Sequence, residues 1–84
     1  AAEPGDEQIA AVSDLLRSIT PAGSNLLVIR TGIGAAQRVG LALDRSGWPG
    51  MVGTIAGDDT IFVATESAHA QKNLITRIEH ATRS

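Results

Sequence analysis

Aromatic side chains are almost missing from this chain of 84 residues, in which Trp48 and Phe62 are the only two. A core must therefore be assembled from Ile, Leu, Val and Ala, although the apolar fraction of 43% is ordinary. A chain of this length forms one domain and buries only about 60% of its extended surface. We therefore expect a thin core and a protein that completes its burial by self-association.

The charge balance argues against direct contact with nucleic acid. Nine acidic residues outnumber seven basic ones, whereas phosphate binding requires clustered cations. The absence of cysteine excludes disulfides, zinc–thiolate sites and cysteine nucleophiles. No apolar run reaches the ~18 residues of a membrane span, and the first residues lack the pattern of a signal peptide. We expect a soluble, cytoplasmic domain without a membrane partner.

The first residues are polar and Ala-rich and contain Pro4-Gly5. Residues 1–11 are therefore interpreted as a linker or the remnant of a tag, and residues 12–84 as the domain. Because the chain does not begin with Met, we expect it to be a piece of a longer protein.

Residues 12–20 fit two different structures. Their apolar residues recur at helical spacing. They are also followed by Pro21-Ala22-Gly23 and then by the strand-like residues 25–31, which fits a hairpin of two strands. The residues alone leave this choice open.

The remainder of the chain is easier to interpret. Glycines 32 and 34 interrupt the strand, and a helix is expected from Ala35 to Ser46, with Gly47 ending it. Two strands are predicted at 51–56 and 60–65, joined by a tight turn, and a last helix at 68–82. If residues 12–20 are a strand, the order is β-β-α-β-β-α, a two-layer α+β sandwich with an antiparallel-rich sheet and two helices on one face.

The helix over 35–46 has a second face with an unusual composition. Gln37 and Asp44 lie seven positions apart, which superposes them to within about 20° on a helix. Gly40 and Leu41 lie between them, opposite the apolar stripe. A solvated face more often carries several Lys and Glu, so this face indicates a second contact surface.

Asp58 and Asp59 occupy the tight turn between the last two strands. Adjacent aspartates in a turn are most often turn formers. The alternatives are a metal site, a general acid/base pair, or an anionic pocket for a cationic ligand. A hard metal needs more oxygen ligands, and acid/base catalysis needs carboxyls in different environments. A planar guanidinium, which carboxylates match with two hydrogen bonds, fits better.

Three other features carry less information. Gly32-Ile33-Gly34 begins like a dinucleotide fingerprint, but Gln37 replaces its third glycine, so these glycines are interpreted as a strand-to-helix turn whose helix end can receive a carboxylate. His69 and His80 are about 16 Å apart along a helix, too far to share a metal. Trp48 is either a core lid or an oligomer contact, and its loop position favours a contact.

One run of residues is specific enough to suggest a family. The run from Val52 to Val63, GTIAGDDTIFV after its first Val, resembles the signature of the C-terminal domain of bacterial arginine repressors. The preceding segments that agree are Val28–Thr31, Gly34–Gln37, Leu43-Asp44 and Gly47. The resemblance covers roughly residues 13–82.

The resemblance implies a fold, an assembly and a ligand. In this family the C-terminal domain is the β-β-α-β-β-α sandwich, which makes residues 12–20 a strand. It forms homotrimers that stack into hexamers, and L-arginine binds between the trimers as a corepressor. Operator DNA is bound by a separate winged helix-turn-helix domain that precedes it and is absent from this chain. No cofactor and no metal are implied.

The resemblance also implies a set of ligand-binding residues. The positions that match the arginine site of the family are Gln37, Asp44, Ala56, Asp58 and Asp59. The acidic pair is expected to take the guanidinium, partly across the interface between trimers. Gln37 and Asp44 are expected near the amino-acid end of the ligand, and Ala56 is expected to contribute its backbone.

Two alternatives remain beside this reading. A generic sensor domain would bind a different amino acid, such as lysine or citrulline, at the same acidic pair. A small enzyme using Asp58 and Asp59 is disfavoured, because no activated nucleophile, metal cluster or oxyanion partner accompanies them.

Arg30 departs from the family pattern, in which His is common at this position, so no role is inherited there.

Overall fold

The computed structural model describes residues 4–82, which form a four-stranded sheet with helices on one of its faces. The helices are α1 (Pro4–Ala10), α2 (Ala36–Ser46) and α3 (Ala68–Thr82), with a single 3-10 turn at Ser13–Leu15. The strands are β1 (Leu16–Ala22), β2 (Leu26–Thr31), β3 (Met51–Ala56) and β4 (Thr60–Thr65).

The sheet has the strand order β1-β2-β4-β3, and every neighbouring pair is antiparallel. The two central strands place alternate residues against the helices, since successive side chains of a strand point to opposite faces. Leu27 and Ile29 on β2 and Ile61 and Val63 on β4 are fully buried. The expected α+β sandwich is confirmed, with one additional helix before it.

Apart from Trp48, the core cluster is aliphatic, as the shortage of aromatics predicts. The buried residues of the two long helices are the stripes expected from helical spacing. On α2 they include Val39 and Leu43, and on α3 Leu74 and Ile78, each 1% exposed. Phe62 does not enter the core and is 50% exposed.

The predicted boundaries hold for the second half of the chain and shift at the beginning. Strands β3 and β4 and helix α3 span the predicted residues, and α2 begins one residue later than expected. The strand predicted at 12–20 instead runs from Leu16 to Ala22. It continues through Pro21 because β1 is an edge strand, where a residue without an N–H group breaks no ladder.

The interpretation of residues 1–11 as a linker is wrong for residues 4–10, which form α1, while residues 1–3 lie outside the described part. Ile9 is 1% exposed and belongs to the core cluster. Asp6 and Glu7 lie in the first turn of the helix, where acidic side chains are favourable. A seven-residue helix is marginal alone, so its packing against α2 and α3 is what stabilises it.

Trp48 packs over the core as a lid and is not the exposed oligomer contact that its position in a loop favours. Its side chain is 5% exposed. It lies beside Gly5 of α1, where any side chain would collide with the indole Nε1. The guanidinium carbon of Arg77 lies 5.7 Å from the centre of the indole ring, within the range of a cation–π contact. Trp48 therefore joins α1, α3 and the end of α2.

The opposite face of the sheet carries an uncovered apolar row. Phe62 on β4 pairs in register with Val28 on β2 and with Ile55 on β3. Ile55 is 76% exposed, and the neighbouring Val52 is 68% exposed. Within residues 4–82, no helix combines the length and hydropathy needed to cross a bilayer.

The packing of α1 can be tested at its buried residue. We expect Ile9→Ala to lower the free energy of unfolding by about 2–4 kcal/mol, because it removes a side chain from the core and leaves a cavity. Urea denaturation followed by circular dichroism measures this. Gln8→Ala, at the exposed neighbouring position, is the matched control and should change stability little. Equal stability of the two variants would mean that α1 is not docked.

Candidate functional site

Helix α2 lies close against the edge strand β3 because small residues face each other there. Gly40, in the middle of the helix, is buried. A Cβ atom at this position would lie 3.4 Å from the Cβ of Ala56. Glycine is unfavourable inside a helix by roughly 0.5–1 kcal/mol relative to alanine, so its presence here is explained by the close approach of helix and strand.

An open cleft of about 340 Å³ lies between this helix and this strand. The residues that line it are Gln37, Gly40, Leu41, Asp44, Thr54, Ile55 and Ala56. The structure thus brings together three of the five predicted site residues, Gln37, Asp44 and Ala56. The expectation that Gln37 and Asp44 share a helix face outside the core is confirmed.

A residue that the sequence did not single out orients one of these side chains. The hydroxyl of Thr54 donates a hydrogen bond of 2.8 Å to Oδ1 of Asp44. Thr54 lies two positions before Ala56 and therefore faces the same side of β3. The alternation of side chains along β3 could have placed Thr54 on the same side of the strand as Ala56. The sequence does not show its contact with Asp44, because that contact joins two elements through residues ten positions apart.

The other two predicted residues, Asp58 and Asp59, lie in the turn between β3 and β4. The turn is closed by a hydrogen bond of 2.8 Å from the amide of Gly57 to the carbonyl oxygen of Thr60. The carbonyl oxygen of Asp59 accepts 2.8 Å from the amide of Thr31, and that of Asp58 accepts 3.1 Å from the amide of Ala36. The turn is therefore held by the end of β2 and the start of α2.

The side chain of Asp58 contacts the loop that precedes α2. Oδ2 of Asp58 accepts a hydrogen bond of 3.2 Å from the amide of Gly34, two positions before the first residue of the helix. The N-cap residue of α2, Ala35, makes no side-chain capping hydrogen bond. The carboxylate of Asp58 therefore holds the strand-to-helix turn, which the glycines of this loop make, and not the helix end itself.

Asp59 faces a cation. Oδ2 of Asp59 lies 3.4 Å from the Nη2 atom of Arg30, and the two side chains are 43% and 55% exposed. Oδ1 of Asp59 accepts a hydrogen bond of 3.0 Å from the hydroxyl of Thr60. Arg30 therefore has a contact with the predicted site that the sequence did not reveal.

The five predicted residues fall into two separate groups within one chain. Asp58 and Asp59 do not line the cleft that holds Gln37, Asp44 and Ala56. Both groups are open to solvent, since Gln37, Asp44 and Asp58 are exposed. His69 and His80 are also exposed, and residues 4–82 contain no cluster of three or more His, Cys, Asp or Glu suited to a metal.

The model of the arginine repressor C-terminal domain family matches residues 12–80. The chain belongs to the arginine repressor family. The resemblance seen in the sequence is thereby confirmed, and the matched range includes both groups of site residues. Family members are named as repressors and not as enzymes, in agreement with the prediction that this chain is not an enzyme.

Individual arginine repressors are similar in sequence to this chain over most of its length. The arginine repressor of Caldicellulosiruptor bescii is 51% identical over 55 residues, which cover 66% of this chain and 36% of that protein. That of Koribacter versatilis is also 51% identical, over 66% of this chain and 37% of that protein. That of Solibacter usitatus is 43% identical over 82 residues, which cover 93% of this chain and 56% of that protein.

These matches also show how much of such a protein the chain represents. The aligned region is 36% to 56% of the length of these three repressors. The chain therefore spans between about a third and somewhat over half of the length of these relatives.

The hydrogen bond from the loop before α2 to Asp58 can be separated from any role in binding. We expect Asp58→Ala to lower the free energy of unfolding by about 0.5–1.5 kcal/mol, because it removes the side-chain acceptor of the Gly34 amide. Asp58→Asn retains a side-chain oxygen and should lose less. Urea denaturation of both variants measures the difference. If the Ala and Asn variants were equally stable, the hydrogen bond to Gly34 would not contribute to folding.

Proposed function

We propose that this chain is the arginine-sensing oligomerisation domain of a transcriptional repressor of arginine metabolism genes. The observation that carries the proposal is the division of the family's arginine-site positions into two exposed groups. One group lines the cleft between α2 and β3, and the other is the acidic turn. A ligand held by both groups would lie between two copies of the chain, as an effector of assembly requires.

In this proposal L-arginine binds with its two charged ends on different copies. Asp44 in the cleft takes the α-amino group, and Gln37 and the backbone of Ala56 contact the same end of the ligand. Asp58 and Asp59 of a second copy take the guanidinium. Thr54 supports this arrangement because its hydroxyl holds the carboxylate of Asp44 at the cleft.

The proposed assembly is a hexamer made of two stacked trimers. Its support is the apolar row of Val28, Ile55 and Phe62, which pair in register across the sheet and of which Ile55 and Phe62 are exposed. Exposed apolar patches mark interaction surfaces, and the thin core leaves this chain more to gain from further burial than a larger domain would have. We assign this row to contacts between copies.

Arginine would stabilise the hexamer by neutralising charge. Stacking brings the carboxylates of Asp58 and Asp59 from several copies close together, and like charges at short range repel. A bound arginine replaces this repulsion with charge-assisted hydrogen bonds. Because the ligand binds the assembled form, it shifts the equilibrium towards the hexamer by mass action.

The assembly would in turn control operator binding. A DNA-binding domain attached before residue 1 in the full-length protein would be presented in several copies by the hexamer. Linked binding domains raise the effective affinity for a site with several half-sites. This part of the proposal places the full-length protein in the cytoplasm, with operator DNA as a partner of the other domain only.

The acidic turn can be tested by calorimetry. We expect Asp58→Asn and Asp59→Asn each to weaken L-arginine binding about ten- to a hundred-fold, because each removes a charged hydrogen-bond acceptor. Asp14→Asn, which neutralises another exposed carboxylate, is the matched control and should bind like the wild type. Wild-type affinity in both turn variants would exclude this site. The same titration with lysine and citrulline distinguishes an arginine sensor from a sensor of another amino acid.

The assembly can be tested by sedimentation velocity. We expect hexamers that persist to lower protein concentration when arginine is added. Phe62→Asp should shift the distribution to smaller species, because it places a charge in the apolar row. Thr76→Asp, on the exposed side of α3, introduces the same charge elsewhere and should not. A monomer at high concentration, with and without arginine, contradicts the proposal.

A further inference from the structure

Arg30 is held beside the acidic turn by the backbone and not only by its own charge. Arg30 on β2 pairs in register with Thr60 on β4, the residue directly after Asp59. The next amide along β2, that of Thr31, donates to the carbonyl oxygen of Asp59 at 2.8 Å. The side chains of Arg30 and Asp59 therefore start from fixed neighbouring positions at the same edge of the sheet.

The two aspartates of the turn consequently differ in their contacts. Both oxygens of Asp59 are engaged, one by the hydroxyl of Thr60 and one by the guanidinium of Arg30. Asp58 has one oxygen on the amide of Gly34. Within residues 4–82, no cation is paired with Asp58.

We propose that Arg30 is a built-in competitor for the guanidinium end of the arginine site. Its own guanidinium occupies Asp59 when no ligand is present, and it must leave this carboxylate before the guanidinium of a ligand takes the same place. Arg30 thereby lowers the affinity for arginine and sets the concentration at which the domain responds. This inference rests on the proposed function, since it assigns a regulator to the same site.

The geometry makes Arg30 a weak competitor that a ligand can displace. Its contact with Asp59 is one distance of 3.4 Å between two side chains that are about half exposed. Ion pairs of this kind contribute little, because solvent screens them and ordering long side chains is unfavourable. A free arginine can approach with two parallel N–H groups, which is the stronger arrangement.

The test is the affinity for L-arginine of this chain with Arg30→Gln. Calorimetry should give a Kd about two- to five-fold lower than that of the wild type, because an exposed ion pair no longer has to be broken. Lys72→Gln removes one positive charge from the exposed face of α3 and is the matched control, with an unchanged Kd. An equal or higher Kd for Arg30→Gln overturns the proposal, and so does an equal decrease in both variants.

A second measurement follows Arg30 directly in the wild-type chain. The Nε–Hε resonance of Arg30 in a ¹⁵N-correlated NMR spectrum should move on addition of arginine towards its position in unliganded Asp59→Asn. A resonance that does not move while arginine binds overturns the proposal and leaves the proposed function intact. A wild-type chain that does not bind arginine at all overturns both.

Discussion

The hydrogen bonds that join the β3–β4 turn to the end of β2 and the start of α2 are the constraint on which the rest of the site depends. Two carbonyl oxygens of the turn, those of Asp58 and Asp59, accept amides from Ala36 and Thr31. These bonds fix where the sheet ends and where the helix begins. They also fix where the two carboxylates emerge and which side chain of β2 they meet.

The second constraint is the close packing of α2 on β3, which determines the shape of the cleft. Gly40 and Ala56 approach closely, and Gln37 and Asp44, about one helical turn before and after Gly40, line the cleft beside β3. Strand β3 makes a second contact with α2 through Thr54, whose hydroxyl donates a hydrogen bond to Asp44. The polar face of one helix thereby becomes one wall of the cleft.

Much of this fold follows from local patterns. Strands β3 and β4 and helix α3 have strong periodicity and clear turn residues, so their ends match the predictions. Helix α1 was not predicted because its seven residues offer a single large aliphatic side chain, that of Ile9, and its stability depends on packing that no local pattern records. The first strand was displaced for a related reason, since only its position at the sheet edge allows it to pass through Pro21.

The candidate site divides in the same way. The helix spacing of Gln37 and Asp44 and the turn position of Asp58 and Asp59 are local features, so the sequence places the first pair on one helix face and the second in one turn, as the structure does. The contacts of Arg30 and Thr54 join residues that are 29 and ten positions from their partners. Such pairs depend on strand order and register, which composition and periodicity do not specify.

The double engagement of Asp58 has a consequence for how this domain can diverge. Its carboxylate both accepts a hydrogen bond from the loop before α2 and presents a charge, so a substitution there alters folding and surface potential together. Arg30 is exposed and its side chain touches the turn at one atom, so a substitution there changes the local potential and little else. Under the proposed function, descendants of this sequence can therefore adjust their sensitivity to a cationic effector at position 30 while position 58 stays constant.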